Sequence, residues 1–336
     1  MRILVSGGAG YVGSVSVEAL VAAGHDVVVL DDLSKGHRGA VPDGVRLVVG
    51  SYGDPAVVRP LLAETRIDAV LHCAARSLVG ESIREPALYY RENVAGGIAF
   101  LEALREAGVR RFVFSSTAAV YGTPAVVPVR EDAPLVPINP YGETKRSLEG
   151  ALAWYGVAYG LRSVSLRYFN VAGASVANGE VHDPETHLIP NVLQAVEGRG
   201  ELTVFGTDYP TPDGTCIRDY IHVVDLARAH LLALEATAPD DPRTAGPEGR
   251  GGAVALNLGN GSGYSIREVV RAAQAAVGQR VPLRYGDRRA GDPPVLVADA
   301  SRARAVLGWE PAHPDIVEIV ASAWAWRLAH PAGYGA

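Results

Sequence analysis

Cysteine is scarce in this sequence, and long apolar runs are absent. Two of the 336 residues are cysteines, Cys73 and Cys216, and they lie far apart without the spacing of metal ligands, so we expect reduced thiols and no structural disulfide. The chain begins with a short apolar stretch broken by glycines, which is neither a signal peptide nor long enough to span a bilayer. These features favour a cytoplasmic location, and we expect no bound metal.

Positive charge is also limited. The sequence has 31 Lys and Arg residues against 37 Asp and Glu residues, which gives a formal net charge of −6, and it contains no basic run. We therefore expect neither nucleic acid nor a membrane as a partner. With 48% apolar and 20% charged residues, the composition is typical of a globular protein with one large domain or two of ordinary size.

Glycine is plentiful, and its most informative cluster follows a stretch of strand character at residues 3–5. Gly8, Gly10 and Gly13 have the G-x-G-x-x-G spacing of dinucleotide-binding turns, and the pattern predicts a helix over residues 12–23. Glycine permits a tight turn here and lets backbone N–H groups reach a pyrophosphate at the N-terminus of the helix. The alternative is an ordinary strand–helix turn.

A second predicted strand, residues 26–30, ends in Asp31 and Asp32 at the spacing expected of a ribose-binding acid. A carboxylate there can accept hydrogen bonds from both ribose hydroxyls and repels a 2′-phosphate. The sequence therefore predicts NAD rather than NADP as the cofactor.

Strand-like and helix-like segments alternate through the first half of the chain, which predicts an α/β fold with a Rossmann-type doubly wound parallel sheet. The predicted segments cover residues 46–49, 56–64, 69–72, 88–107 and 111–115. Two strand ends carry small or hydroxyl side chains, Cys73-Ala74-Ala75 and Ser115-Ser116-Thr117, at the sheet edge where cofactors lie. Close packing or local backbone hydrogen bonding explains such residues equally well.

A tyrosine and a lysine share one face of a later helix. Asn139 is suited to cap this helix and Pro140 to begin it, which places Tyr141 and Lys145 at positions i and i+4. A free tyrosine titrates near pH ~10, so we expect Lys145, the helix N-terminus and an oxidised nicotinamide to lower the pKa of Tyr141. Tyr141 then becomes a usable general base. The alternative is a Tyr–Lys pair on a solvated helix face.

Two arginines in the second half are candidates for binding a diphosphate. Guanidinium is a planar, bidentate donor for phosphate oxygens, and we assign this role to Arg218 and Arg289. An ordinary surface ion pair is the alternative for each.

The chain resembles the extended short-chain dehydrogenase/reductase family, and within it the sugar-nucleotide 4-epimerases, almost from end to end. The superfamily motifs are Gly7-x-x-Gly10-x-x-Gly13, Val79-Gly80-Glu81-Ser82, Ser115-Ser116-Thr117 with Val120-Tyr121-Gly122, and Pro140-Tyr141-Gly142 with Lys145. The more specific ones are Leu166-Arg167-Tyr168-Phe169-Asn170, Asp208-Tyr209-Pro210-Thr211 with Asp213-Gly214-Thr215, Arg218-Asp219-Tyr220-Ile221-His222-Val223, and Arg288-Arg289 with Gly291-Asp292.

The resemblance implies a set of site residues. The catalytic residues are Tyr141, Lys145 and Thr117. The cofactor-binding residues are Gly7, Gly10, Tyr11, Val12, Gly13, Asp31, Asp32, Ser51, Tyr52, Ala74, Ala75, Arg76, Asn93, Ser115, Tyr141, Lys145 and Tyr168. The residues that bind the UDP-sugar are Thr117, Tyr141, Asn170, His187, Leu188, Phe205, Arg218, Tyr220, Arg289, Asp292 and Leu296.

The resemblance also implies the reaction, in which a tightly held NAD oxidises and re-reduces C4 of a UDP-hexose through a 4-keto sugar, as in UDP-glucose/UDP-galactose interconversion. A 4,6-dehydratase needs an acid/base pair after the threonine, where this chain has Ala118 and Ala119, so dehydration is disfavoured. A non-catalytic NAD-binding regulator is disfavoured because Thr117, Tyr141 and Lys145 are all present.

Several positions depart from the common epimerase pattern and leave other UDP-hexoses open as substrates. By resemblance, Leu296 occupies a position whose bulk limits the hexose pocket, and a residue smaller than tyrosine there leaves UDP-N-acetylglucosamine open as a substrate. Arg76 replaces a lysine and is suited to face a C6 carboxylate, which leaves UDP-glucuronate open. Ser51 and His187 also depart from the common pattern, where aspartate and asparagine are usual.

The regular alternation ends near residue 170. We expect an NAD-binding domain over residues 1–170, with 219–237 packing back onto it, and a smaller α/β substrate-binding domain over residues 171–336. The resemblance suggests a homodimer that packs through helices 88–107 and 141–159.

Overall fold

The computed structural model describes residues 1–246, 249–288 and 292–335. The strands are β1 (Arg2–Ser6), β2 (Asp26–Asp31), β3 (Arg46–Val49), β4 (Ala69–His72), β5 (Arg111–Thr117), β6 (Arg162–Tyr168), β7 (Asn170–Ala172), β8 (Leu202–Phe205), β9 (Ile217–His222), β10 (Ala253–Leu258), β11 (Gly263–Ser265), β12 (Leu283–Gly286) and β13 (Val295–Leu296). Within the described ranges, no helix combines the length and apolar character needed to cross a membrane.

The helices alternate with the strands of the first half and surround those of the second. They are α1 (Tyr11–Ala22), α2 (Pro55–Glu64), α3 (Val79–Arg84), α4 (Pro86–Tyr89), α5 (Gly96–Glu106), α6 (Pro140–Tyr159), α7 (Leu188–Val196), α8 (Val223–Ala236), α9 (Ile266–Val277), α10 (Ser301–Leu307) and α11 (Ile316–Ala329). Short 3₁₀ segments lie at Arg38–Ala40, Ala118–Tyr121 and Pro242–Thr244, and a π-helical segment lies at Tyr90–Ala95.

Seven parallel strands form the large sheet in the order β10-β6-β5-β4-β1-β2-β3. Ile3, Leu4 and Val5 of the central strand β1 are completely buried, because both faces of a parallel sheet are covered. The chain leaves β1 for β2 on one side and returns as β4 on the other, which opens a crevice at the carboxyl ends of these strands. The predicted doubly wound α/β fold is confirmed.

Helices cover both faces of the sheet. On one face, Leu20 of α1 and Leu226 of α8 belong to one buried cluster. On the other face, Leu61 of α2, Phe100 of α5 and Leu148 of α6 form a second cluster. This arrangement fixes α1 and α6, the helices that carry the candidate site, against the same rigid sheet.

A smaller α/β region follows. Its four-stranded sheet has the order β11-β9-β13, with β7 also paired to β9, and β8 pairs with β12 in a separate parallel ribbon. Leu193 of α7, Val269 of α9 and Ile319 of α11 form its core. The predicted smaller second region is present.

The large sheet does not end at residue 170. Its edge strand β10 pairs in parallel with β6, so that Leu256 lies opposite Leu166. Val223 and Ala227 of α8 also pack against Tyr11 and Val15 of α1. The division of the chain into two domains at residue 170 stays a prediction, and any such division must assign these two later segments to the sheet.

The helix predicted over residues 88–107 is not regular. The chain is helical from Pro86 to Glu106, but it passes through the π-helical turn of Tyr90–Ala95 before α5 begins. Asn93 is buried within this turn and bonds to the loop after β4 and to α6. A π-helical turn is often found where a side chain must be directed at a functional site.

Candidate active site

A cavity of about 470 Å³ lies at the carboxyl ends of the sheet strands, where the crevice opens. It is bounded by the turn after β1, the ends of β2, β4, β5 and β6, the start of α6 and the segment before α7. Most of the residues predicted for the cofactor line it. They are Gly7, Gly10, Tyr11, Val12, Gly13, Asp31, Asp32, Ser51, Tyr52, Ala74, Ala75, Arg76, Tyr141, Lys145 and Tyr168.

The glycine turn is shaped for a close backbone approach. Gly7 has φ +77°, and a Cβ there would lie 2.5 Å from the backbone nitrogen of Ala74. A Cβ on Gly13 would lie 1.9 Å from the carbonyl oxygen of Gly7, so only glycine fits at this position. Gly10 is the N-cap of α1 and offers no side chain to bond the first-turn N–H groups. The start of α1 therefore fits a phosphate group of a dinucleotide.

Asp31, the last residue of β2, and Asp32, which follows it, differ in their roles. Asp31 is buried, and its carboxylate accepts hydrogen bonds from the N–H of Ala9 (3.0 Å) and the N–H of Leu33 (2.9 Å). Burial raises the pKa of Asp31. Asp32 accepts from the N–H of Ser34 at 2.9 Å. Asp31 thus fixes the glycine turn and also borders the cavity. This position suits a carboxylate that accepts hydrogen bonds from ribose hydroxyls.

Asn93 and Ser115 were predicted to bind the cofactor, and both lie behind the cavity wall. Asn93 accepts from the N–H of Arg76 (2.8 Å) and donates to the carbonyl of Arg76 (2.9 Å) and the hydroxyl of Thr144 (3.0 Å). Ser115 is completely buried, and its carbonyl accepts from the ammonium of Lys145 at 2.7 Å. These residues hold lining residues in place from outside the cavity.

The three predicted catalytic residues share the cavity. The structure confirms Asn139 as the cap of α6, since its side chain accepts from the N–H of Gly142 at 2.9 Å, and Pro140 begins the helix. Helical spacing then brings Tyr141 and Lys145 to one face. Thr117 ends β5 and hydrogen-bonds with Tyr141.

Burial controls the charges of this trio. Lys145 is 3% exposed, and burial lowers the pKa of its ammonium to about 8. Burial also raises the pKa of Tyr141, and the hydrogen bond with Thr117 acts in the opposite direction without reversing the shift. The prediction that Lys145, the helix N-terminus and an oxidised nicotinamide together lower the pKa of Tyr141 concerns the protein with its ligands bound, and it stays a prediction. Without ligands, burial sets the direction of the shift.

A buried ion pair supports α6 below the trio. Glu149 accepts from the guanidinium of Arg167 at 2.5 to 3.1 Å, and both side chains are less than a tenth exposed. Glu149 also accepts from the hydroxyl of Ser116 at 2.5 Å. The pair therefore ties α6 to β5 and β6 directly below Lys145.

The residues predicted for the UDP-sugar fall into two groups. Thr117, Tyr141, Asn170, His187, Leu188, Tyr220 and Leu296 line the cavity. Among the described residues, Phe205, Arg218 and Asp292 are not part of its lining, and Arg289 lies outside the described residues.

Arg218 has a carboxylate partner in this structure. Its guanidinium bonds to Asp292 and donates to the carbonyl of Ile217 at 2.7 Å. An ion pair, the alternative to diphosphate binding in the sequence analysis, is therefore present at Arg218. Arg218 belongs to the small sheet, because Ile217 and Arg218 begin β9.

One cluster beside the cavity was not predicted as a unit, although His187 was predicted to bind the UDP-sugar. The ligand atoms of Glu180, His182, Glu185 and His187 lie within 4.8 Å of one another, and the two histidines line the cavity. Glu180 is buried, and its pKa falls to about 2 although burial opposes this, because two histidines lie against it. The pKa of His187 rises to about 9 beside Glu180. The visible signal was the spacing Glu-x-His-x-x-Glu-x-His.

Lys35 also lines the cavity without having been predicted. It follows Asp32 closely in the chain, and its ammonium donates to the carbonyl of Asp183 at 2.5 Å. A basic residue just after the ribose-binding acid was a signal in the sequence.

Comparisons with known proteins identify the relatives of this site. Residues 3–245 match the model of the NAD dependent epimerase/dehydratase family. The chain is 48% identical over 337 residues to a UDP-glucose 4-epimerase of Lactobacillus helveticus, covering 99% of each chain.

Two solved structures are similar over nearly their full length. UDP-glucose 4-epimerase from Brucella ovis in complex with NAD has a TM-score of 0.90 at 46% identity, covering 96% of this chain and 97% of that one. UDP-glucose 4-epimerase from Bifidobacterium longum in complex with NAD⁺ and UDP has a TM-score of 0.91 at 34% identity, covering 99% and 100%. The matches to the family model and to full-length relatives show that this chain belongs to the NAD dependent epimerase/dehydratase family.

Proposed function

We propose that this chain is an NAD-dependent isomerase that epimerises UDP-hexoses at C4, interconverting UDP-glucose and UDP-galactose. One observation carries the proposal. Thr117, Tyr141 and Lys145 line the same cavity as the glycine turn and Asp31, so a proton-transferring trio and a dinucleotide-binding turn face one space. The full-length similarity to UDP-glucose 4-epimerases supports the same reaction.

The residues of the turn fit NAD. The start of α1 offers N–H groups and a positive dipole end to phosphate, and Asp31 stands where ribose hydroxyls would lie. When bound, NAD supplies a nicotinamide that accepts one hydride and returns it. Asp31 and Asp32 favour NAD over NADP, because two carboxylates repel a 2′-phosphate.

Thr117, Tyr141 and Lys145 together transfer the proton of the sugar hydroxyl. Tyr141 accepts it, directly or through the hydroxyl of Thr117, and gives it back when the sugar carbon is reduced again. Lys145 stabilises the phenolate by its charge, which burial makes strong because little water screens it. Val120 and Tyr121, both buried, close the segment behind Thr117.

The test compares two tyrosines of α6. Tyr141→Phe is expected to lower kcat by about 10²- to 10⁴-fold, the usual contribution of a general base, while bound dinucleotide is retained. Tyr159→Phe is the matched control, because Tyr159 lies at the exposed end of the same helix. A coupled assay of UDP-galactose conversion measures both. Full activity of Tyr141→Phe would remove this residue from the mechanism.

The position of Leu296 in the cavity lining favours a broader substrate range. Leu296 lines the cavity together with Asn170 and Leu188, and a leucine leaves more room than a tyrosine. We therefore keep UDP-N-acetylglucosamine as a second substrate, and UDP-glucuronate as a third because Arg76 also lines the cavity. Comparing kcat/KM for the three substrates decides among them. Leu296→Tyr is expected to reduce conversion of the N-acetyl substrate selectively.

We also propose a homodimer through the helical stretch 88–107 and α6. Trp154 is 73% exposed and Val157 is 53% exposed on α6, which is unusual for large apolar side chains on one helix. Trp154→Glu is expected to shift the mass measured by light scattering toward that of a monomer. Val176→Glu is the control, since Val176 is 97% exposed in a different part of the molecule. A cytoplasmic location, which suits two cysteines that form no disulfide with each other, is testable by cell fractionation.

A further inference from the structure

Four side chains outside the trio of Thr117, Tyr141 and Lys145 gather beside the cavity, and two of them, His182 and His187, line it. All four come from one eight-residue segment with the spacing Glu180-x-His182-x-x-Glu185-x-His187. Their ligand atoms all lie within 4.8 Å of one another. We propose that Glu180, His182, Glu185 and His187 together bind one divalent transition-metal ion of the zinc class, which fixes this wall of the cavity.

The positions of the ligand atoms suit such an ion. The Nδ1 atoms of both histidines face the same carboxylate oxygen of Glu180, at 3.1 Å for His182 and in direct contact for His187. His182 Nδ1 lies 3.9 Å from a carboxylate oxygen of Glu185. Metal–ligand bonds of about 2.0 to 2.2 Å in a tetrahedron place ligand atoms roughly 3.4 Å apart. The four atoms therefore need only small shifts to surround an ion.

The chemistry of the donors selects the metal. Two imidazole nitrogens with two carboxylate oxygens favour zinc and its neighbours over magnesium or calcium, which prefer oxygen ligands alone. Two carboxylates and two neutral imidazoles also balance the charge of one divalent ion. Four protein ligands close a tetrahedral site, so the ion has a structural role and takes no part in the epimerisation.

The backbone of the segment is held by contacts outside the cluster. The hydroxyl of Tyr334 bonds to the backbone of Gly179 at 2.7 and 3.0 Å. His37 lies 3.1 Å from the carbonyl of Val181 through Nε2, and Lys35 donates to the carbonyl of Asp183. A ligand loop held in this way loses little conformational entropy on binding an ion.

The position of the cluster links a bound ion to the shape of the cavity. His182 and His187 belong to the cavity lining, as do Asp183 and Pro184 between them. An ion that holds the two histidines therefore fixes the side of the cavity where His182 lies beside Tyr11. Its removal is expected to loosen the segment and to raise the KM for the UDP-sugar more than it lowers kcat.

The test is direct metal binding by the full-length protein without an affinity tag. After treatment with a chelator and dialysis, Zn²⁺ titrated by calorimetry is expected to bind at one ion per chain with submicromolar affinity. Co²⁺ is expected to give the visible absorption of a tetrahedral site without the near-ultraviolet thiolate band that Cys73 or Cys216 would produce. Binding only at millimolar metal, or a thiolate band, would overturn the proposal.

Variants assign the ligands. His182→Gln and His187→Gln are each expected to weaken Zn²⁺ binding at least tenfold, and the double variant is expected to abolish it. His25→Gln and His330→Gln are the controls, since both histidines lie outside the cluster. Circular dichroism of each variant without metal verifies its folding. Unchanged affinity in the double variant would refute the assignment, and this readout does not depend on whether the protein is an epimerase.

Discussion

Three buried histidines make the stability of this protein sensitive to acid. His230 is completely buried between Ser16 of α1 and Ser115 of β5, at 3.0 and 3.2 Å. Burial lowers the pKa of His230 to about 3. Burial likewise lowers the pKa of His72 to about 3 and that of His222 to about 4. All three remain neutral in the folded protein at pH 5.

The sign and size of the effect follow from linkage. The unfolded chain protonates these histidines near pH ~6.5, so it binds more protons than the folded chain below that pH, and stability falls as the pH drops toward the folded pKa values. Between pH 7 and pH 5 each histidine removes about 2 kcal/mol of unfolding free energy, or about 6 kcal/mol for the three. Burial raises the pKa of Asp219 to about 6, and its proton uptake on folding returns about 1 kcal/mol. The net loss is a large part of a typical stability of 5–15 kcal/mol.

The assay is urea unfolding at pH 7 and pH 5 with NAD in excess. His230→Gln is expected to be less stable than the parent at pH 7, but to lose about 2 kcal/mol less between the two pH values. His330→Gln is the control, because His330 lies at the partly exposed C-terminal end of α11. An equal pH dependence in His230→Gln and the parent would refute the reasoning. An imidazole proton resonance of His230 that titrates above pH 5 would refute it as well.

Three further substitutions test the turn, the ion pair and the trio. Gly13→Ala places a Cβ 1.9 Å from a carbonyl of the same turn, so the purified protein should lose its dinucleotide in a release assay, whereas Gly150→Ala, where the space is open, should keep it. Glu149→Gln leaves the charge of Arg167 buried without its partner and should cost about 3–5 kcal/mol in urea unfolding. A cost below 1 kcal/mol would show that water enters the site. Thr117→Val should reduce kcat by about 10²-fold or more, whereas Thr117→Ser should retain most of it; similar rates would exclude the hydroxyl from proton transfer.

Features that depend on neighbours in the chain were predictable from the sequence. The cap of α6 at Asn139 is confirmed, and so is the strand that ends at Asp31. The need for glycine at position 13 also follows from the local motif, because the clash involves the carbonyl of Gly7 only six residues earlier. In each case the partner atoms lie within one strand–turn–helix unit.

Features that depend on distant segments were not predictable. β10 joins the sheet beside β6 after an excursion of more than eighty residues, and nothing in its short apolar pattern identifies that neighbour. The pair Glu149–Arg167 is similar, since a charged residue in a helix is ordinarily exposed. Only the close approach of α6 to β6 buries both charges and makes them partners.

The trio shows where sequence reasoning about chemistry stops. Helical spacing correctly placed Tyr141 and Lys145 on one face, but the sign of the pKa shift of Tyr141 depended on how deeply that face is covered. Burial raises the pKa of Tyr141 and lowers that of Lys145. Both shifts favour the neutral pair, in which the proton stays on the phenol. Without ligands, Tyr141 therefore keeps its proton. Its role as a general base requires positive charge that arrives with the ligands. The same desolvation makes such a charge effective, because an added cation in a site that excludes water acts far more strongly than it would at the surface.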